Sequence, residues 1–183
     1  MPSVDERRLL ERAQTNAAGV AELFDAYFYR IYAYAYRRVG SRETAEDIAA
    51  TVFEDAMNGI KRVRWLGKPI IAWLYRIAAR RVADYYRAHR VTESLDDRLE
   101  LVGEAMSDAE RVERDDEYRS VRCGIERLTE RDREIIRLAF FDELGGAEMA
   151  AMLGCTTNNV YVRLHRAMKN LKAILEKERQ GVV

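Results

Sequence analysis

The sequence has little proline, glycine or cysteine. Only two of its 183 residues are proline and ten are glycine, so helix breakers are sparse and we expect long helices with short connections. The two cysteines, Cys123 and Cys155, are too few for a disulfide framework and have no metal-ligand neighbours, so we predict no metal site or cofactor from them. We interpret both as buried thiols.

The sequence also has no long hydrophobic run and no net charge. No stretch approaches the roughly 18 apolar residues of a membrane span, and the N-terminus has no apolar core of a signal peptide, so we expect a cytoplasmic protein without membrane insertion. The 31 basic residues balance 31 acidic ones, which alone disfavours a nucleic-acid-binding protein. However, residues 61–90 hold nine bases and one acid, and residues 91–118 hold eleven acids and three bases. This segregation indicates different tasks for adjacent segments.

Apolar residues recur at helical spacing almost throughout the chain, and no convincing alternating pattern of a strand is present. We therefore predict an all-α protein with two small helical domains. The first covers residues 17–90, and the second, residues 115–178, contains a helix-turn-helix. Residues 91–114 between them form an acidic linker.

Residues 147–167, AEMAAMLGCTTNNVYVRLHRA, carry the helix-turn-helix pattern. Ala150 is small where two helices would cross, and Gly154 suits the tight turn between them. The second helix would be capped by Thr156 or Thr157 and would turn polar and basic side chains away from the core. Asn can pair with adenine and Arg with guanine, so this helix is a candidate DNA reader. A solvated face of an ordinary helical bundle has the same composition.

The predicted third helix, from Pro69 to about His89, is basic and aromatic. Its helical spacing places Arg76, Arg80 and Arg87 on one stripe, and rings among phosphate-binding cations suit single-stranded or opened DNA. The alternative is an Arg-rich solvated helix, in which Asp84 pairs with Arg80 and Arg87.

These features together resemble bacterial sigma factors of the extracytoplasmic-function (ECF) type. TAEDIAATVFEDA is similar to the segment with which the family binds the polymerase clamp. AWLYRIAARRVADYYR is similar to its helix for opening and reading the minus-ten promoter element. The stretch from LTERDREIIRL to YVRLHRAMKNL resembles its minus-thirty-five-binding domain. The resemblance covers roughly residues 20–175.

The resemblance implies a protein without chemistry of its own, which binds core RNA polymerase and directs promoter recognition, DNA opening and transcription initiation. It implies core polymerase, promoter DNA and an anti-sigma protein as partners, and no cofactor. The polymerase-binding residues would be Asp47, Ala50 and Glu54. The minus-ten residues would be Arg62, Arg64, Trp65, Lys68, Arg76, Arg80 and Arg87. The minus-thirty-five residues would be Thr157, Asn158, Asn159, Tyr161, Arg163 and Arg166.

The sequence departs from the family pattern at a few positions. Ala50 stands where Gln is common, Arg80 where Asn is usual, and Gly145 and Gly146 where Ser and a larger residue are more usual. The main alternative is a helix-turn-helix transcription regulator that does not bind core polymerase, but its N-terminal half would show alternating strands and helices. An enzyme is disfavoured because no phosphate loop, metal-spaced carboxylates or nucleophile–base pair is evident.

Overall fold

The computed structural model describes residues 6–89 and 118–179. Within these ranges all regular structure is helical and no strand occurs, which confirms the predicted all-α class. The chain divides into two compact units, the first formed by the helices within residues 6–89 and the second mainly by those within residues 118–179. The linker predicted for residues 91–114 lies outside the described residues.

The first unit begins with a helix that the sequence analysis did not predict, α1 (Glu6–Thr15). It is followed by α2 (Ala17–Val39) and α3 (Arg42–Gly59). A short 3-10 turn (Ile60–Arg62) and an irregular loop then lead to α4 (Ile70–His89). Helices α2, α3 and α4 pack against one another, and α1 packs on α2.

Capping side chains fix the ends of α2 and α3. The Asn16 side chain accepts a hydrogen bond from the Gly19 backbone N–H at 2.8 Å, which caps α2. Gly40 ends α2 with a φ of 69°, a left-handed conformation that glycine adopts without strain. Ser41 then accepts from the Thr44 N–H at 3.3 Å. A glycine therefore ends α2, and a serine caps the start of α3.

The core of the first unit is formed by the apolar stripe of each helix. The apolar stripe of α3 is buried along its whole length and continues into the 3-10 turn: Ala45, Ile48, Ala49, Val52, Phe53, Ala56 and Ile60. The rings of Tyr34 and Tyr75 meet in this core with their centroids 5.1 Å apart. Because one side of α3 is buried, its other side is the one available to a partner.

The second unit contains α5, described over residues 118–126, and α6 (Glu130–Ile136). Helix α6 continues as a π-helical segment (Arg137–Phe141). The helix-turn-helix pair follows as α7 (Gly146–Leu153) and α8 (Thr157–Arg179). The helix-turn-helix expected from residues 147–167 is therefore present.

Polar side chains tie α8 to α5 and α6 within the second unit. Glu178 accepts a hydrogen bond from Arg127 at 2.9 Å, and Asn170 donates to Asp132 at 2.9 Å. Thr129 caps α6 by accepting from the Asp132 N–H. Helix α8 is therefore fixed to its unit at two levels along its length.

The expectation that both cysteines are buried thiols is wrong. Cys123 is exposed and Cys155 is partly buried. Cys123 lies on α5, whose buried positions next to it are Gly124 and Ile125. Helical geometry therefore turns the Cys123 side chain away from the core.

A partly exposed ion pair between Asp55 and Arg81 joins α3 to α4 in the first unit. The Arg81 guanidinium donates to both carboxylate oxygens of Asp55, through Nε at 2.7 Å and Nη2 at 2.5 Å. This two-point hydrogen bond lowers the pKa of Asp55, against the opposing effect of burial. It also raises the pKa of Arg81. Both side chains keep over a quarter of their surface exposed, so the pair contributes modestly to stability.

We expect Arg81→Met to lower the free energy of unfolding by about 1 kcal/mol at neutral pH, because it removes a partly buried bidentate pair. Since folding lowers the pKa of Asp55, the contribution is fully present above the ordinary value of 3.8 and is lost as the pH falls through the folded value. Urea unfolding at a series of pH values measures both effects.

The control for this prediction is Arg7→Met, which removes the exposed pair of Arg7 with Glu11 and should change stability by less than about 0.5 kcal/mol. Equal losses for the two variants, or a loss at Arg81 that persists unchanged at acidic pH, would contradict the assigned role of the Asp55 pair.

Candidate nucleic-acid interface

Helix α8 starts at a tight turn that orients its first residues. Gly154 has a φ of 67°, as expected for the turn glycine, and the Thr156 hydroxyl accepts from the Asn159 N–H at 3.2 Å. Thr156 is therefore the cap, and Thr157 is the first residue of the helix. Val160 and Ala167 are fully buried, which sets the rotation of α8 about its axis.

The rotation of α8 brings the predicted minus-thirty-five residues to its outer side. Thr157, Asn158 and Asn159 are exposed on the first turn. Tyr161 keeps 56% of its surface exposed, Arg166 is exposed, and Arg163 is half-buried. Hydrogen-bonding groups thus lie at the helix N-terminus with two guanidinium groups behind them. This is the arrangement with which a recognition helix reads base edges and contacts phosphates.

The glycine at position 146 has a packing explanation. A Cβ placed on Gly146 would lie 2.7 Å from the hydroxyl oxygen of Tyr161 and 3.1 Å from the Thr157 methyl group. Tyr161 therefore lies against the start of α7, where a larger residue would displace its ring. The neighbouring Gly145 N–H donates to the Glu148 carboxylate at 2.9 Å, so the first turn of α7 is stabilised despite its two glycines.

The loop between α3 and α4 exposes most of the predicted minus-ten residues. Arg62, Arg64 and Lys68 are exposed, and Trp65 is half-buried. Leu66, at the loop tip, keeps 75% of its surface exposed. A basic loop that carries an indole ring and an apolar tip provides groups for phosphates and for unstacked bases.

The predicted basic stripe of α4 is only partly available. Arg76, Arg80 and Arg87 are all exposed. However, Arg87 is hydrogen-bonded to Asp84, so the solvated-helix alternative describes this residue correctly. The Trp73 ring packs 3.6 Å from the position of a Cβ on Gly59, which makes Trp73 a packing residue of the bundle.

The outer side of α3 is acidic. Asp47, Ala50 and Glu54 are exposed, and helical spacing places them on one face. Glu46 and Met57 are also exposed there, Met57 with 52% of its surface. Ala50 leaves a shallow position between carboxylates, so the face combines negative charge with a small apolar centre.

A residue that the sequence analysis missed is Gln14 on α1. Its side-chain amide donates to the backbone oxygens of Ile60 and Val63, at the start of the basic loop. A helical pattern was available to indicate α1, since Leu9, Leu10 and Ala13 share one buried face. No pattern in a single sequence indicates which loop a glutamine amide contacts.

Other kinds of site are not evident in the described part of the chain. Within residues 6–89 and 118–179, no three His, Cys, Asp or Glu residues lie where they could hold a metal ion. No helix in these ranges has both the length and the apolar character needed to cross a membrane.

Comparison with known proteins gives two family matches in chain order. The model for sigma-70 region 2 matches residues 23–92, and the model for sigma-70 region 4 matches residues 118–171. The ECF RNA polymerase sigma factor BldN of Streptomyces coelicolor is 31% identical, over 93% of this chain and 67% of BldN. The RNA polymerase sigma factor YlaC of Bacillus subtilis is 29% identical, over 88% of this chain and 94% of YlaC.

A solved structure has the same fold. CnrH, in complex with the cytosolic domain of CnrY, aligns over 93% of this chain and 96% of that chain with a TM-score of 0.61. The sequence identity is 24%. The all-helical architecture therefore recurs in a protein with few identical residues.

We expect Gly146→Ala to displace the Tyr161 ring, because the added methyl group would lie 2.7 Å from its hydroxyl oxygen. The measurement is the NMR chemical shifts of the Tyr161 ring. Gly145→Ala is the matched control, since its Cβ would meet only Glu148 at an ordinary 3.8 Å. Unchanged Tyr161 shifts in Gly146→Ala would show that the ring does not rest on Gly146.

Proposed function

We propose a division of promoter recognition between the two units, from the premise that the chain belongs to the ECF RNA polymerase sigma factors. Sigma factors direct core RNA polymerase to promoters and are not an enzyme family, and this chain is a sigma factor for promoter-specific initiation. The residue assignments, the domain boundaries and the site of action are our proposals.

The second domain, residues 115–178, reads the minus-thirty-five element through α8. The supporting observation is the orientation of this helix, in which Val160 and Ala167 are fully buried and the polar first turn is exposed. Asn158 and Asn159 would meet base edges, with Thr157 and Tyr161 beside them. The guanidinium groups of Arg163 and Arg166 would contact phosphates. The proposal depends on this orientation, because a recognition helix meets base edges with its N-terminal residues.

The first domain, residues 17–90 within the first unit, engages the minus-ten element. Its basic loop, Arg62–Lys68, would capture an unstacked base, with Trp65 as a stacking surface and Arg64 and Lys68 on the backbone. Arg76, Arg80 and Arg87 would follow the strand along α4. Since Arg87 is hydrogen-bonded to Asp84, it must exchange that partner for a phosphate.

The acidic side of α3 binds core polymerase. Asp47 and Glu54 would pair with basic side chains on the polymerase clamp, and Ala50 would allow close approach between them. The support is their common exposure opposite the buried stripe of the same helix. Complementary charge of this kind steers association and selects the partner.

The acidic linker, residues 91–114, would run through the polymerase toward the RNA exit path. Its charge, together with a net charge of zero for the whole chain, would keep the free protein from binding DNA tightly. We place its action in the cytoplasm, where core polymerase works. An anti-sigma protein that covers the polymerase-binding faces is the regulatory partner we propose, by analogy with CnrH, whose structure contains the cytosolic domain of CnrY.

Reconstitution with bacterial core polymerase tests the polymerase assignment. We expect the chain to co-elute with core and to support promoter-dependent transcription. Glu54→Lys should weaken core binding about tenfold, because it places a like charge against the basic clamp. The control is Glu176→Lys, an exposed charge reversal on α8 in the second unit, which should bind core normally.

No association with core, combined with footprints on duplex DNA, would instead support a helix-turn-helix regulator. Equal core binding by Glu54→Lys and the unsubstituted chain would remove the outer side of α3 from the polymerase interface.

We expect two substitutions on α8 to differ in kind when holoenzyme binds promoter DNA. Arg166→Ala should weaken binding similarly on all sequences and reduce the salt dependence by about one counterion. Asn158→Ala should reduce the binding free-energy difference between the preferred base pair and the others at one promoter position, by about 1–3 kcal/mol. Titrations at several salt concentrations against promoters with single base changes measure both. Lys172→Ala, exposed farther along α8, is the control, and an effect as large there would contradict the assigned readout.

A further inference from the structure

The Gln14 side chain connects α1 to the chain that leaves α3. Its Nε2 donates to the Ile60 oxygen at 2.9 Å and to the Val63 oxygen at 2.7 Å. A primary amide nitrogen carries two N–H groups, so both donors are used. The two carbonyls bracket the 3-10 turn, whose own hydrogen bond runs from the Val63 N–H to the Ile60 oxygen at 3.0 Å. Gln14 therefore holds the turn from which the basic loop emerges.

Helix α1 is a fixed support for this amide. Leu9 is fully buried and Leu10 nearly so. The start of α2 lies directly against α1, since a Cβ on Gly19 would be 2.3 Å from the Arg12 carbonyl carbon. At the other end of α1, Glu6 accepts a hydrogen bond from the Tyr27 hydroxyl at 2.8 Å. A side chain on such a helix holds its hydrogen-bond partners in a defined place.

The loop beyond the turn has little regular structure to position it. Residues 63–69 belong to no helix or strand, and Gly67 has a φ of 68°. At the far end, the Pro69 oxygen accepts from the Ala72 N–H at 3.2 Å, in the first turn of α4. The path of the loop through Arg64, Trp65 and Leu66 is therefore set largely where the loop begins and where it ends. Gln14 fixes the beginning of the loop.

We propose that Gln14 is a positioning residue for minus-ten recognition, which acts by fixing the exit of the basic loop from α3. This inference rests on the proposed function of that loop. Gln14 lies outside residues 23–92, which the region 2 family model matches. Its role follows from hydrogen bonds across 46 and 49 residues of sequence.

The test compares three variants. Gln14→Glu keeps the size and shape of the side chain but replaces the donor nitrogen by an acceptor oxygen, which would face two carbonyl oxygens. Gln14→Ala removes the group entirely. Arg7→Ala is the control on the same helix, since it loses only an exposed ion pair with Glu11.

The first readout is the loop itself in the isolated protein. The chain has two tryptophans, so Trp73→Phe leaves Trp65 as the single fluorescent reporter in the loop. We expect Gln14→Glu in this background to raise acrylamide quenching of Trp65 roughly twofold, because local opening exposes the indole more often. Arg7→Ala should leave quenching unchanged.

The second readout is the affinity of the holoenzyme for a single-stranded oligonucleotide. This oligonucleotide carries a minus-ten element, taken from a promoter that has been mapped with the unsubstituted protein. Loss of two hydrogen bonds should weaken this binding about tenfold in Gln14→Glu and Gln14→Ala. Affinity for core polymerase and for minus-thirty-five duplex should stay within about twofold of the unsubstituted chain, because α3 and α8 do not depend on the loop.

Three results would overturn the inference or its premise. Unchanged Trp65 quenching and unchanged oligonucleotide binding in folded Gln14→Glu would remove the positioning role. Parallel losses of core, minus-ten and minus-thirty-five binding would show that Gln14 only stabilises the fold. Failure of the unsubstituted chain to bind core would overturn the proposed function instead. This result differs from the other two, because in those the unsubstituted chain still binds core.

Discussion

The apolar stripe that α3 buries against α2 and α4 decides what the first unit can present to a partner. Ala45, Ala49 and Ala56 on this stripe are almost fully buried, so the neighbouring helices approach closely and α3 has one rotation that satisfies the packing. That rotation leaves Asp47 and Glu54 outside. Exposing this acidic face thus requires no structure beyond the bundle itself. A substitution that rotated α3 would change stability and partner binding together.

Burial also fixes the rotation of α8, but the exposed side of this helix is polar and basic rather than acidic. Its buried residues, Val160 and Ala167, fix its rotation, while Asn170 and Glu178 hold its later turns by hydrogen bonds to α6 and α5. The N-terminal turns then project polar groups from a rigid support. Such rigidity matters for readout of base edges, because a displacement of about 1 Å breaks a bidentate hydrogen bond.

Much of this architecture could be predicted from the sequence, because it depends on local signals. Helix stripes and the caps at Ser41 and Thr129 are encoded within a few residues and need no distant contact. The π-helical turn after α6, the exposure of Cys123 and the amide contacts of Gln14 were not predicted. Each depends on which distant element packs nearby, and a single sequence does not contain that pairing. The residue roles at the DNA and polymerase surfaces remain predictions, derived from resemblance and supported by exposure.

The basic side chains of residues 61–90 differ in whether they are paired with a carboxylate. This difference determines where positive charge remains available to DNA. Arg81 is bound to Asp55 at both guanidinium positions, and Arg87 is hydrogen-bonded to Asp84. These two pairs neutralise much of the charge on the later turns of α4. By contrast, Arg62, Arg64 and Lys68 are exposed on the loop. Three exposed bases therefore lie on a segment outside any α-helix, where electrostatic attraction alone would bind a strand without orienting it. In the role proposed for Gln14, its amide fixes the exit of the loop from α3 and thereby supplies that orientation.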